Sequence, residues 1–482
     1  MAFVVLVVLI LMDNNTNQAP PGAPPPQVAP PDVAAYQDSP QSSAPIKKIM
    51  SLVIGALVLL ALIFVFVVLV LPRIVPKKSE NVTLTYWGVW KDSSPLEATA
   101  AEFTRANPNI RVTIEKQDIK ALGKYYDRLA TRMKNGTGPD VLRYHNSWVT
   151  EMVPLLLPLP QEVVEATNLD SKFYPVVGRD LKVSGAYYGV PIHFDSLSLF
   201  INTEIFKNAG ISSYPLTWDD LTSAARQLTV KDQDGRITTS GVALGTYDNI
   251  AHASDIVSLL LIQNGADLNH LNGPGKQSAS DALDFYTSFA KGDSKVWDDT
   301  LENSKLAFAG GKVAMYIGYS WDIFEIKALA PNLSFAITSV PHLPTRSSTI
   351  ASYWVEGVSS QTKHPKEAFE FLKFLTSRQN MEKLYSSEAK TRLFGELYPR
   401  SDMADLLKDN TLIYPFVAQG EKAESTLFAS DTHDDAMVDS LNVYLGNAVR
   451  SILNNNSSPE SAIDTLAAGV SQVAGRYGGK TK

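Results

Sequence analysis

Between Ile49 and Leu71 the chain runs IMSLVIGALVLLALIFVFVVLVL without one charged side chain. A stretch of that length crosses the hydrocarbon layer of a bilayer as a helix, because a helix pairs its own backbone polar groups internally. Lys47 and Lys48 precede it, and Arg73, Lys77 and Lys78 follow. Positive charge on both flanks leaves its orientation undecided. The span therefore divides the chain. Residues 1–48 form an N-terminal tail, 49–72 a transmembrane helix, and everything from about residue 81 must fold in water.

The tail carries little that can fold. Met1 to Met12 is apolar but too short to span a bilayer, and it lacks the positive start of a secretion signal. It reads as a leader-like or interfacial segment. Asp13 to Pro45, with APPGAPPPQVAPPDVAA at its heart, buries too little apolar surface to offset chain entropy. It is expected to be a disordered, polyproline-like spacer.

Beyond Asn81 the pattern changes to that of an α/β protein. Val82 to Trp87 alternates as a strand does, then Leu96, Ala100 and Phe103 recur at helical spacing up to Asn107-Pro108. Ile110 to Lys116 alternates again, Tyr125 to Lys134 is helical, and Pro139-Asp140-Val141-Leu142 opens another strand. Repeated alternation of strand and helix predicts a sheet with many parallel neighbours and helices on its faces. With 482 residues the chain is too long for one core, so two or more folded bodies are expected.

The run from Ala186 to Gly210, AYYGVPIHFDSLSLFINTEIFKNAG, organises those bodies. It reads as a strand passing from one body to the other, with Asp195 interrupting an apolar run. A carboxylate in such a place needs partners, which sets it at a cleft. Leu333 to Pro341 is a second extended run and a second candidate crossing.

Several functions are excluded or weak. The net charge is −7 and no basic stripe is present, which argues against nucleic acid. Absence of cysteine removes disulfides, thiolate metal sites and a lipid-bearing cysteine. No HExxH, GxSxG or GxGxxG motif occurs. Asp232 to Gly235 lacks the closing glutamate of a calcium loop and reads as a surface turn. The acidic run at Asp431 to Asp435 reads as a solvated loop rather than a metal site. Aromatics are more informative. Trp87, Trp90, Tyr144, Trp148, Tyr319, Trp321, Tyr353 and Trp354 fall at or just past predicted strand ends, where α/β sheets bind ligands. Core packing is the default for any one of them, but several stand beside Asp140, Asn146, Asp195 and Glu356. Flat apolar rings suit the C–H faces of a sugar, and amides and carboxylates suit its hydroxyls.

The segments LTYWGVW at Leu84, FTRANPNIRVTIE at Phe103, NGTGPDVLRYHNSW at Asn135, YYGVPIHFDSLSLFINTEIFKNAG at Tyr187, PLTWDDLTSAARQLT at Pro215, FAGGKVAMYIGYSW at Phe308 and VEGVSSQTKHPKEAFEFLKFL at Val355 carry a family resemblance. In order and spacing the chain resembles the extracellular solute-binding proteins of family 1, the maltose-binding-protein-like carbohydrate-binding subunits of ABC importers. The resemblance implies a two-lobed periplasmic-binding-protein-like type II fold with hinge crossovers, here preceded by one transmembrane helix. It implies residues 81–195 and 334–376 in lobe 1, and 196–333 and 377–482 in lobe 2. A carbohydrate would lie between them and pass to permease subunits, with no catalysis, cofactor or metal, from a monomer held on the extracellular face.

Carried over by position, Trp87 and Trp90 resemble first-strand cleft residues, and Tyr144 and Asn146 cleft residues after a structural Asp140. Asp195 resembles the hinge-side polar contact. Tyr319 and Trp321 resemble the stacking group of the far lobe, and Trp354 a cleft residue after the second crossing. The family's usual lipid-bearing cysteine is missing, and the helix at Ile49 to Leu71 stands in its place. The competing readings are a membrane-anchored glycan-active enzyme with Asp195 and Glu356 as paired carboxylates, a binder of a peptide or polyol phosphate, and a sensor ectodomain.

Overall fold

A computed structural model describes residues 44–70, 81–89, 92–118, 121–432 and 434–477. Trp90 and most of the N-terminal tail lie outside those residues. The chain forms two compact units, Met1–Lys78 and Ser79–Lys482.

In the first unit, helix α1 (Ala44–Val65) continues into a π-helical turn at Phe66–Val70. Its segment Met50–Leu69 has a mean hydropathy of 3.4, and none of it is buried in protein. Leu, Val, Ile and Phe cover every side of it, so it has no preferred core-facing stripe. A helix that is apolar all round and exposed is long and apolar enough to cross a membrane.

The second unit begins with strand β1 (Val82–Val89), helix α2 (Ser94–Ala106), strand β2 (Ile110–Gln117), helix α3 (Leu122–Lys134) and strand β3 (Val141–His145). A single turn, α4, follows at Val149–Met152. β1 pairs in parallel with both β2 and β3, as the strand–helix alternation predicts. The stripe Leu96, Ala100 and Phe103 on α2 is buried, with the Phe103 ring 5.2 Å from Phe371 and 5.4 Å from Phe374. Asp140 is structural. It accepts the Thr85 N–H at 2.8 Å and the Thr362 hydroxyl.

The organising stretch is broken into short strands: β4 (Val190–Pro191), β5 (Asp195–Ser196) and β6 (Ser198–Asn202), followed by the expected helix at Thr203–Asn208. Gly189 makes the Gly-Val-Pro turn possible, since a Cβ there would lie 2.5 Å from the Val355 side chain. Thr217 caps the next helix, Trp218–Leu228, through a reciprocal pair with Asp220. Trp218 is buried there and donates to Gln263 at 2.7 Å. Further on come helix α5 (Ala253–Gln263), strand β7 (Met315–Gly318), helix α6 (Asp322–Leu329) and strands β8 (Phe335–Ser339), β9 (Thr349–Ser352) and β10 (Trp354–Val358). The C-terminal part adds helices α7 (Pro365–Leu375) and α8 (Arg378–Glu388), strand β11 (Ala423–Glu424), and helices α9 (Met437–Asn454) and α10 (Pro459–Arg476).

The principal strands make three sheets. The first has the order β2-β1-β3-β10-β4, the second β7-β6-β8, and the third β11-β9-β5. The chain thus leaves the first sheet at β4, runs through β5, and enters the second at β6. It returns through β9, whose Ser352 pairs with Asp195 in antiparallel register, and re-enters the first sheet at β10. This corrects the expected second crossing. Leu333 to Pro341 does not cross, because β8 pairs with β6 from Phe335↔Asn202 to Ser339↔Ser198. The boundaries expected at 334 and 377 shift for the same kind of reason. α8 packs on α2, with Lys383 bonded to Glu102 at 2.7 Å, so it belongs beside the first sheet.

Candidate functional site

Asp195, the first residue of β5, is buried where the two connections run side by side. Its carboxylate accepts the N–H of Ser196 at 2.8 Å, the N–H of Ser320 at 3.0 Å and the Ser320 hydroxyl. Burial pushes its pKa up to about 8, against the lowering by the Ser320 bonds. Asp195 is therefore mostly uncharged at neutral pH.

Ser320 lies between Tyr319 and Trp321, whose rings stack at 4.2 Å with an interplanar angle of 16°. Tyr319 is buried and Trp321 is 37% exposed, so the pair presents indole outward with phenol behind it. Beside both stands His252, its ring nearly perpendicular to Tyr319 at 5.0 Å and to Trp321 at 6.0 Å. His252 Nε2 lies 2.8 Å from Asp322, and Nδ1 lies 3.0 Å from Asp431. Burial alone would lower the imidazole pKa, but Asp322 and then Asp431 outweigh it and hold His252 well above its ordinary value. Asp322 also accepts the Tyr316 hydroxyl at 2.8 Å and the Tyr319 N–H at 3.1 Å. A Cβ at Gly318 would overlap its carboxylate, which is why glycine closes β7.

A second aromatic group gathers at the end of the first sheet. Trp354 opens β10, half-buried, with its ring 5.3 Å from Trp148 at 88° and 5.3 Å from His145 at 76°. Trp148 is fully buried. His145 Nε2 lies 3.0 Å from the hydroxyl of Ser352, the residue that pairs with Asp195. The Trp354 N–H donates to His193 Nε2 at 3.3 Å. Burial lowers both His145 and His193 to about 3, so these imidazoles are neutral. A continuous path of contacts joins the two groups, from Trp354 through His145, Ser352, Asp195 and Ser320 to Trp321.

The other expected site residues stand elsewhere. Trp87 is buried on the α3 side of the sheet, with the Arg128 and Arg132 guanidiniums 5.5 and 5.6 Å from its ring. Tyr144 is buried and donates to the Tyr188 carbonyl at 3.3 Å. Asn146 is a clamp. It donates to Asp180 at 3.1 Å and accepts the Tyr353 N–H at 3.2 Å. Glu356, the second acid of the enzymatic reading, is fully buried against Arg143 at 2.8 Å and Tyr86 at 2.6 Å. The acidic run after Ser430 is also engaged. Asp431 meets His252, and Asp434 accepts three N–H groups at the start of α9. His252 escaped sequence reading altogether, since a lone histidine before a helix carries no spacing signal.

The fold is the α/β periplasmic-binding-protein fold. Residues 87–382 match the sequence profile of the bacterial extracellular solute-binding proteins, and the chain belongs to that family. Its members are non-catalytic binding proteins. The multiple sugar-binding protein of Streptococcus mutans is 24% identical over 335 residues, covering 64% of this chain and 74% of that one. Among solved structures, the sugar-binding protein MalE from Xanthomonas citri aligns with a TM-score of 0.66 at 19% identity, over 82% of this chain and 98% of that one. A cyclo/maltodextrin-binding protein complexed with maltotetraose aligns with a TM-score of 0.63 at 19% identity, over 81% of this chain and 97% of that one. At such identities these structures define the fold alone.

Proposed function

We propose that this protein is a membrane-anchored solute-binding subunit of an ABC importer and that its ligand is a carbohydrate. One lobe is built on the first sheet and the other on the second, joined by β5 and β9. A sugar ring stacks on the outer indole face of Trp321, with Trp354 opposing it from the first sheet and Asp195 bonding a hydroxyl at the base. The observation that carries this reading is the stacked Tyr319–Trp321 pair with one indole face exposed, beside a carboxyl group that burial keeps uncharged. An uncharged polar base between aromatic walls suits a neutral polyhydroxylated ring better than an ionic solute. The names of the sugar-binding relatives support the same ligand class.

Helix α1 serves as a single-pass anchor that keeps the binding unit on the extracellular face, where a permease takes the ligand. Tethering confines the binder near the permease and raises its effective concentration there. Calorimetric titration of the detergent-solubilised full chain with maltotetraose, mannobiose and other short oligosaccharides tests the ligand. Saturable binding that Trp321→Ala weakens at least tenfold supports the reading, and binding indifferent to that change refutes it. Extraction of cell membranes with alkaline carbonate tests the anchor. The protein is expected to stay with the lipid, and release into the supernatant defeats anchoring.

A further inference from the structure

We propose that His252 is a positioning residue of the binding site: its ring, clamped between the carboxylates of Asp322 and Asp431, sets the plane of Trp321. This rests on the carbohydrate reading only for the choice of ligand. Its geometry stands apart from that choice.

The turn that presents Trp321 is held by two buried carboxylates, one on each side. Asp195 grips Ser320 from the connecting strand, and Asp322 grips the Tyr319 N–H from the start of α6. Asp322 is fully buried and its pKa is lowered. Burial works the other way, and His252 leads the groups that outweigh it. A buried carboxylate keeps its charge only with a buried counter-charge close by. Lys305 is the other cation in reach, at 3.3 Å, but its ammonium is divided with Glu325 at 2.5 Å and is partly exposed. His252, with a side chain 1% exposed, is the cation that the interior supplies.

The backbone is bent to put it there. His252 has φ 59° and ψ 26°, the left-handed conformation, immediately before α5. A non-glycine residue in that region is strained, and the surrounding contacts must offset that strain. The conformation sends the imidazole inward, where Ser430 also lies 2.8 Å from Nδ1. The ring meets Tyr319 and Trp321 at 87° and 79°. The ring centroids make a triangle of 4.2, 5.0 and 6.0 Å, so the imidazole packs beside the stack against both rings, where it holds their planes together and leaves the outer indole face free.

The experiment uses the full chain in detergent. Asparagine tolerates left-handed backbone and removes the charge, so His252→Asn isolates the imidazolium. His252→Lys restores a cation. Near-ultraviolet circular dichroism reads the Tyr319–Trp321 stack, with Trp321→Leu identifying its band. Maltotetraose titration reads affinity. His252→Asn is expected to lose that band and bind at least tenfold more weakly, and His252→Lys, which returns the cation without the ring, to recover melting temperature but neither band nor affinity. A His252→Asn variant that melts earlier but keeps band and affinity overturns the proposal, because the role is then only structural. Should that variant not fold, Asp431→Asn decides, since it leaves the Asp322 pair in place. A weakened band supports the proposal and an unchanged band overturns it. If the unsubstituted protein ignores maltotetraose, the ligand choice fails while the dichroism still tests His252.

Discussion

The two aromatic groups use the same residue types and reach opposite electrostatic states. Around Trp354 and Trp148 the histidines are neutral. His145 touches the hydroxyls of Ser147 and Ser352, and His193 takes the Trp354 N–H. No carboxylate hydrogen-bonds either ring among the described contacts; Glu396 raises His193 through space, but burial outweighs it and both pKa values fall to about 3. Around Trp321 and Tyr319, His252 is buried just as deeply but faces Asp322 and Asp431, and it keeps its proton. Burial alone therefore does not set the charge of an imidazole here. The partner does. One aromatic wall is an apolar block with polar tips, and the other is a charge-locked turn.

The sharpest way to break that contrast is Asp322→Asn. It strips His252 and Lys305 of their common buried carboxylate, and leaving buried charge unpaired costs ~3–5 kcal/mol. A fall in melting temperature of several degrees is expected, and an unchanged melt would show the lock to be inert. Next comes ligand affinity. Trp321→Ala is expected to weaken sugar binding by ~2 kcal/mol, about thirtyfold, with little change in melting because the ring is partly exposed. Trp354→Ala is expected to lower both affinity and melting, since its ring packs on Trp148 and His145. Equal effects of the two variants on melting would erase the distinction between the walls.

Acidity separates the walls by sign. His145 and His193 titrate lower folded than the ~6.5 of an unfolded histidine, so their stability contribution is intact at neutral pH and is lost as pH falls below ~6.5. His252 titrates higher folded than unfolded. Its contribution is complete below ~6.5 and is lost as pH rises through the raised folded value. Melting curves from pH 7 to 5 should fall by ~2 kcal/mol per neutral imidazole at most, and His145→Gln should flatten that slope. The last test is Asp195→Asn. A buried acid held up to about 8 loses stability as pH rises from ~4 towards that value, because only the unfolded chain ionises there. Replacing it should therefore raise the melting temperature at pH 7.5 and remove its fall above about pH 5, while weakening sugar binding. A lower melting temperature would mean that the carboxylate is ionised in the folded protein.

Local order was legible in the chain, and meetings between distant segments were not. The alternation of β1 and β2, the apolar stripe of α2, the Thr217 cap and the uncharged segment Met50–Leu69 all follow from spacing and residue type. Asp195, Trp321 and Trp354 stand out in the chain as an acid in an apolar run and indoles at strand ends, and the structure sets them along one path of contacts. The burial of Trp87 was not legible, because alternation tells which residues share a face, not which face a helix covers. Arg128 and Arg132, one turn apart on α3, close over it. Leu333 to Pro341 and Thr349 to Ser352 look equally extended, and only pairing with β6 or β5 distinguishes a strand that stays from one that returns. His252 was invisible because its partners lie 70 residues away at Asp322 and farther still at Asp431.

The pairing of β5 with β9 has a mechanical consequence. Two residue pairs, Ala351↔Ser196 and Ser352↔Asp195, knit β5 to β9, and the Leu197 N–H donates to the Ile350 carbonyl at 2.9 Å beside them. A door travels least at its pin and most at its handle, and Asp195 is set at the pin. Ser320 and Ser352 are both held there, one residue from Trp321 and two from Trp354, so any swing about that pin carries the two indoles through a short arc.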